Sequence, residues 1–239
     1  MKKDKNNFHL DKFLMTKNLK IEKKFLRYNR LEFLKNFVLK KRRLKIIEFG
    51  TGISTLVIAK ALYINKKKYS NLSKEFRGIN FKLYTVDNNR KFLNITKKNI
   101  DKLKLKKFVS LSLVKLSMGK FDGQIVASCN KIPNISPDLI YLDGPDQSLI
   151  KGNYKNVNFS DKSFTPIQSD ILKMESYLIP GTFILIDGRS NNAYFLKRNL
   201  RRNWKYKFYK SLNTHLFELK EPPLGNYNKR LNKFYNFGK

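Results

Sequence analysis

The tightest constraint on the fold is a rhythm of short apolar runs, each ending on a glycine or an acid and followed by a longer polar stretch. Residues 44–49 run straight into Gly50-Thr51-Gly52, after which 54–64 have helical character. Residues 81–86 end at Asp87 and precede a helix-like stretch over 90–103. A third run covers 108–114, and a fourth, 138–142, ends at Asp143-Gly144-Pro145. A helical segment over 169–178 leads to a fifth run, 181–186, which ends at Asp187-Gly188. Residues 192–202 read as one more helix, and 206–209 with 215–219 as a closing hairpin. Strands alternating with helices predict a mainly parallel sheet covered on both faces. A terminal strand pair with no helix between adds an antiparallel edge. The fold class expected is therefore α/β, a three-layer sandwich with a doubly wound, mainly parallel sheet and an antiparallel C-terminal edge.

Three segments flank or interrupt this pattern. Residues 1–43 read as a basic helical extension, because Leu31, Phe33, Leu34, Phe37 and Val38 recur at helical spacing. That stripe packs on the following domain or lies on a membrane surface. The domain itself spans 44–221, and 222–239 read as a basic, aromatic tail. Residues 66–80 and 152–166 are polar insertions, the second placed where it could cover a site.

Composition narrows the class further. A single cysteine, Cys129, excludes an intrachain disulfide framework, and two histidines are too few for a histidine-rich metal cage. No apolar run approaches the roughly 18–20 residues that span a bilayer, and Met1-Lys2-Lys3 is not followed by a secretory apolar stretch. A cytoplasmic protein is expected. Lys and Arg number 51 against 18 acids, a formal net charge of +33. Such a charge suits nucleic acid or an anionic membrane surface. The 40 Lys against 11 Arg and 26 Asn against three Gln equally suit A/T-rich coding, although that does not account for the scarcity of acids.

The chemistry sits at the ends of the runs. In Glu48-Phe49-Gly50-Thr51-Gly52-Ile53-Ser54-Thr55, glycines at a strand-to-helix turn let a ligand approach the backbone, with a helix N-terminus beyond. A dinucleotide fingerprint calls for Gly or Ala where Thr55 stands. The acid at Glu48 opposes a pyrophosphate and favours a cationic, amine-bearing ligand. Asp87, at the end of the second strand, suits ribose hydroxyls. Asp143 lies at the carboxyl edge, where open parallel sheets bind ligands.

Together these residues resemble class I, Rossmann-like S-adenosylmethionine-dependent methyltransferases, in order and spacing over residues 44–219. The resemblance implies that Glu48, Gly50, Thr51, Gly52 and Ser54 wrap the methionine part of S-adenosyl-L-methionine. It implies that Asp87, with Asn88, holds the ribose, and that Asp143 lies next to the reacting methyl group. The third strand lacks the family's adenine-contacting pair, and Met118 or Phe121 could pack on the ring instead. Asp143 and Asp187 are similar to two metal-ligand positions of cation-dependent O-methyltransferases, but Gly188 stands where those enzymes carry Asn. A divalent metal is therefore not the favoured expectation. Methyl transfer to an oxygen or nitrogen of a small molecule or glycan precursor is expected, with Asp143 and then Asp187 as candidate bases. Asp146, Gln147, Arg189 and Asn192 are the candidate acceptor-binding residues. The pairing of Tyr141-Leu142-Asp143-Gly144-Pro145 with Ile186-Asp187-Gly188-Arg189 resembles a bacterial subgroup with no assigned acceptor. The competing expectation is a basic binding protein that keeps the fold without turnover. His215 and Cys129 read as structural residues. Trp204, Tyr206, Phe208 and Tyr209, among lysines, read as a strand burying one aromatic set or as a basic stacking surface.

Overall fold

A computed structural model describes residues 8–16, 19–21, 26–76, 78–144, 150, 152–158 and 167–236. Nine strands occur among them: β1 (Lys45–Phe49), β2 (Lys82–Asp87), β3 (Val109–Leu113), β4 (Leu116–Phe121), β5 (Gln124–Cys129), β6 (Leu139–Leu142), β7 (Phe183–Asp187), β8 (Trp204–Tyr209) and β9 (Thr214–Leu219). The helices are α1 (Leu10–Leu14), α2 (Tyr28–Lys40), α3 (Ile53–Lys68), α4 (Leu72–Glu75), α5 (Arg90–Lys102), α6 (Asp170–Met174), α7 (Ser190–Asn199) and α8 (Gly225–Asn236).

Seven strands form one sheet in the order β3-β2-β1-β6-β7-β9-β8. Pairing is parallel from β3 through β7 and antiparallel at β7–β9 and β9–β8. This is the expected doubly wound sheet with an antiparallel edge. The chain reverses direction of travel across the sheet between β1 and β6, which makes the gap between their carboxyl ends the topological switch point.

Both faces are covered, and the strand side chains divide accordingly. Ile47, Phe49, Ile140, Leu142, Ile184 and Ile186 enter one apolar layer, with α6 and α7. Ile46, Leu139, Tyr141, Phe183 and Leu185 enter the opposite layer, with α2, α3 and α5. Burial on two sides is why these strands read as continuous apolar runs rather than alternating ones.

The apolar stripe of the N-terminal region belongs to that second layer. Leu34, Phe37 and Val38 of α2 are buried, and Phe37 meets Phe183 edge-to-face at 5.1 Å. The stripe is therefore spent on the sheet and not presented to a lipid surface.

Three local outcomes differ from the sequence expectation. The segment after β3 folds as a separate two-stranded sheet, β4–β5, turning at Asp122-Gly123 with φ of +46° and +82°. Two left-handed residues are what a tight hairpin with native strand twist requires. The polar stretch 66–80 is not all loop: Lys66, Lys67 and Lys68 complete the last turn of α3, where their charge complements the helix dipole, and α4 follows. The stretch read as a tail carries α8, whose Leu231 and Tyr235 pack on Leu44, Phe76 and Phe81.

A buried polar cluster fastens α8 at the amino end of the sheet. Tyr235 Oη donates to Asp138 Oδ2 at 2.9 Å, and the Leu44 N–H donates to the same oxygen at 2.7 Å. Arg43, 1% exposed, donates to the Gly181 carbonyl, and its guanidinium lies 3.8 Å from the Tyr235 ring centre.

On β8, Trp204 and Tyr206 pack toward the core while Lys205 and Lys207 point outward. His215 is buried, with Tyr206 Oη 2.8 Å from Nδ1, Ser190 Oγ 3.0 Å from Nε2, and Phe208 stacked at 4.4 Å. Both ring nitrogens are occupied, in keeping with a structural role.

Candidate active site

The carboxyl edge of the sheet brings together the β1–α3 turn, the end of β2 and the ends of β6 and β7. The turn is built on two glycines doing different work. Gly50 has φ of +99°, and a Cβ there would lie 2.6 Å from Gly144 Cα. A Cβ on Gly144 would lie 2.3 Å from Gly50 Cα. The glycines after β1 and β6 are thus packed backbone on backbone, a contact invisible in the spacing of either motif. Gly52 differs: its backbone is extended, and nothing lies within 4 Å of where its Cβ would be. It leaves open space at the N-terminus of α3, where unpaired N–H groups collect.

Beneath the turn, Glu48 is fully buried. Ser54 Oγ donates to its Oε1 at 2.6 Å and Thr55 Oγ1 to its Oε2 at 2.7 Å. Thr55 Oγ1 also accepts the Gly52 N–H at 3.0 Å. Burial pushes Glu48 up to about 8, against the opposing pull of the Ser54, Thr55 and Thr85 hydroxyls. The expectation that Glu48 faces a cationic ligand is corrected: its carboxyl, like the Ser54 hydroxyl, points into the protein and braces the turn. Thr55, the residue that breaks the dinucleotide fingerprint, is the link between acid and glycine.

Asp87 ends β2 with both carboxylate oxygens oriented by backbone. Its Oδ2 accepts the Thr51 N–H at 2.8 Å and its Oδ1 the Asn89 N–H at 2.8 Å. Asn88 is half-buried beside it. Asp87 and the space above Gly52 therefore lie on either side of Thr51, joined through its N–H.

Asp143 and Asp187 follow the paired residues Leu142 and Ile186 at adjacent strand ends. Asp143 is exposed, while the surrounding protein and the charge of Asp187 push it up to about 7; Arg189, Arg27 and Arg30 pull it down. Asp187 is 8% exposed. Arg30 Nη1 donates to its Oδ1 at 2.7 Å, and Tyr141 Oη donates to its Oδ2 at 3.2 Å. Burial raises Asp187, against the pull of Arg30. Its carboxylate is engaged on both oxygens, by Arg30 and by Tyr141.

The same pair decides the fit of a divalent metal. Hard cations need several oxygen ligands open to one point. Asp187 presents both oxygens to protein donors, and no cluster of three His, Cys, Asp or Glu suited to a metal occurs among the described residues. The described residues at this edge do not fit a metal.

Of the acceptor candidates, Arg189 is half-buried as the residue before α7. Asn192 is 1% exposed. Its Nδ2 donates to the Gln168 carbonyl at 2.9 Å, and its Oδ1 accepts the Gln168 N–H at 3.2 Å. That closed pair ties α7 to the segment entering α6, correcting its assignment to the acceptor. Asp146 and Gln147 lie outside the described residues. Of the adenine candidates, Phe121 packs against the apolar core, and Met118 lies half-buried on β4. Arg27 and Arg30 carry no signal in the sequence, whereas Tyr141 and Gly144 stand in the motif around Asp143 without a role of their own.

No helix among the described residues is long and apolar enough to cross a membrane. No family model matches the sequence, and comparison with curated proteins finds no match. Solved structures of similar shape include a putative O-methyltransferase from Klebsiella pneumoniae, 14% identical, covering 84% of each chain with a TM-score of 0.47. An O-methyltransferase from Bacillus cereus in complex with SAH is 13% identical, covering 85% of this chain and 84% of that one, with a TM-score of 0.47. The O-methyltransferase TomG from Streptomyces achromogenes, in complex with SAM, is 11% identical over 86% and 83%, with a TM-score of 0.46.

Proposed function

We propose that the chain is an S-adenosylmethionine-dependent methyltransferase acting on an oxygen or nitrogen of a small molecule or glycan precursor. The observation that carries this reading is the open space over Gly52 beside an Asp87 carboxylate already oriented by the Thr51 N–H. That pairing suits a ligand with a chain at one end and vicinal hydroxyls at the other. Asp87 holds the ribose hydroxyls, with Asn88 beside it; the backbone at Gly50, Thr51 and Gly52 lies against the methionine portion. When bound, the cofactor supplies an electrophilic methyl group on a sulfonium. The protein's part is alignment of the acceptor and management of its proton. Asp143 is the base: it is exposed at the carboxyl edge of the sheet, and a value near 7 suits proton acceptance at neutral pH. Tyr141 and Arg30 hold Asp187 fixed behind it.

Calorimetry with S-adenosylhomocysteine tests the assignment. Binding that falls at least tenfold in Asp87→Ala is expected. Well-folded protein with no affinity for it rules the reading out.

A second reading, a basic protein that binds a polyanion, is favoured by one observation. A cavity of about 540 Å³ between the segment at Lys20 and α5 is lined, among the described residues, by Lys20, Arg90, Lys91, Asn94, Ile95 and Lys98, four cations and no acid. Asn99 fixes that segment by exchanging two hydrogen bonds of 3.0 Å with the Lys20 backbone. Nucleic-acid affinity with a steep salt dependence that weakens in Arg90→Gln/Lys98→Gln supports it; negligible, salt-insensitive binding dismisses it.

A further inference from the structure

The contacts that fix His215 also aim it at a serine. The turn after β7 is folded onto the turn before β9: the Gly188 N–H donates to the Asn213 carbonyl at 2.9 Å, and both residues have left-handed backbones, with φ of +67° and +46°. That contact sets Ser190, the first residue of α7, beside His215, which pairs with Ile186 across β7 and β9. Ser190 is half-buried, and its Oγ lies 3.0 Å from His215 Nε2. On the other side of the ring, Tyr206 Oη lies 2.8 Å from Nδ1. Phe208 stacks on the imidazole at 4.4 Å, and Tyr194 meets it edge-on at 5.7 Å. Thus α7, β9 and β8 supply a hydroxyl, an imidazole and a phenol in one hydrogen-bonded line.

The direction of that line follows from the protons. A serine hydroxyl has a single proton to give. Its acceptors are His215 Nε2 at 3.0 Å and Asn213 Oδ1 at 3.5 Å, and the longer contact is at the limit of a hydrogen bond. The imidazole therefore takes the serine proton. Nδ1 then carries the ring proton and donates it to Tyr206 Oη, and the phenol's own proton is left for solvent, Tyr206 being half-buried. Burial pushes the His215 imidazole down, so the ring is neutral at pH 7 and can receive a further proton.

We propose that Ser190 is a nucleophile, activated by His215 and oriented through Tyr206, that takes an acyl group from an activated ester. Oγ bonds to the acyl carbon while its proton passes to Nε2; the bond to the leaving group breaks, and the departing alcohol takes the proton from Nε2. Water repeats the sequence on the Ser190 ester, releasing the acid and restoring the hydroxyl. The third member of the line decides the substrate class. A carboxylate in that place stabilises the imidazolium, whereas a phenol only orients the ring. Esters with a good leaving group are therefore within reach and amides are not. Tyr194, 45% exposed, and Phe208, 39% exposed, border the imidazole with apolar surface that suits an aliphatic or aromatic acyl group. This centre stands independently of the methyltransferase reading.

The test treats the full chain with a fluorophosphonate, followed by intact mass and peptide mapping, and with p-nitrophenyl butyrate, followed by nitrophenol release. One adduct on Ser190 is expected, absent in Ser190→Ala together with the ester hydrolysis. His215→Gln should slow both reactions about a hundredfold or more; Tyr206→Phe, which keeps the ring packing, should slow them less. Nitrogen NMR of the isotope-labelled wild type should place the His215 proton on Nδ1. A proton on Nε2, no adduct on wild type, an adduct that persists in Ser190→Ala, or equal rates in wild type and His215→Gln would each overturn the proposal. Where His215→Gln does not fold, the wild-type tautomer and Ser190→Ala still decide.

Discussion

Gly50 and Gly144 touch through their backbones, so the loops after β1 and β6 come closer than any side chain allows. Gly144→Ala is expected to lose about 1–3 kcal/mol through overlap. Gly50→Ala adds a further cost of about 1–3 kcal/mol for its left-handed backbone. Gly52→Ala should leave stability within about 0.5 kcal/mol and weaken S-adenosylhomocysteine about tenfold or more, equivalent to about 1.4 kcal/mol. Urea unfolding with calorimetry separates the three variants. A Gly52→Ala protein that binds normally contradicts the placement of the ligand over that residue.

Glu48 gives the protein a pH dependence with a definite sign. Its folded value is raised to about 8, above the ordinary carboxylate range. Between the unfolded and folded values the native state holds a proton that the unfolded state has released. Glu48 therefore makes stability fall as pH rises through that window, by about 1.4 kcal/mol per pH unit. Glu48→Gln should flatten this slope between about pH 5 and 8, read from urea midpoints across pH. An unchanged slope would place the titrating group elsewhere.

Asp87 joins the cofactor side to the fold. Asp87→Ala leaves the Thr51 and Asn89 N–H groups without their acceptor and should cost about 1–3 kcal/mol. Asp87→Asn keeps one acceptor oxygen, so its stability loss should be smaller while its loss of S-adenosylhomocysteine affinity stays large. Equal losses of both quantities in the two variants would assign Asp87 to structure alone.

The cluster at the other end of the sheet predicts the opposite split. Tyr235→Phe removes one donor from Asp138 and should lower stability by about 1–3 kcal/mol. Its distance from the carboxyl edge leaves S-adenosylhomocysteine affinity unchanged. A drop in affinity at constant fold would mean that the two sheet ends are coupled.

The sheet was legible because burial on two faces turns β1, β2, β6 and β7 into apolar runs, and the acids ending them mark the carboxyl edge. The β4–β5 hairpin carries a turn signal in Asp122-Gly123, but its apolar run, Ile125-Val126-Ala127, is too short to stand out as a strand. Helix α8 was read as a tail because its apolar residues, Leu231 and Tyr235, are few amid lysines and asparagines. Glu48 was placed correctly in the turn but assigned the wrong direction: sequence order does not tell which way a side chain points. Arg30 was beyond reach altogether. Nothing local distinguishes it from its basic neighbours, and only the docking of α2 sets it on Asp187.

That docking has a consequence for how the molecule breathes. The turn at Glu48–Thr55 and the end of β2 close over short stretches of chain, whereas the Arg30–Asp187 contact spans nearly the whole sheet domain. A local opening of α2 would withdraw Arg30 from Asp187 and leave the Gly52 and Asp87 half intact. In amide exchange, S-adenosylhomocysteine should therefore slow the β1–α3 and β2–α5 turns while α2 exchanges as before. The cofactor side of the edge and Asp187 would then open through motions of different size, with the N-terminal helix governing only the second.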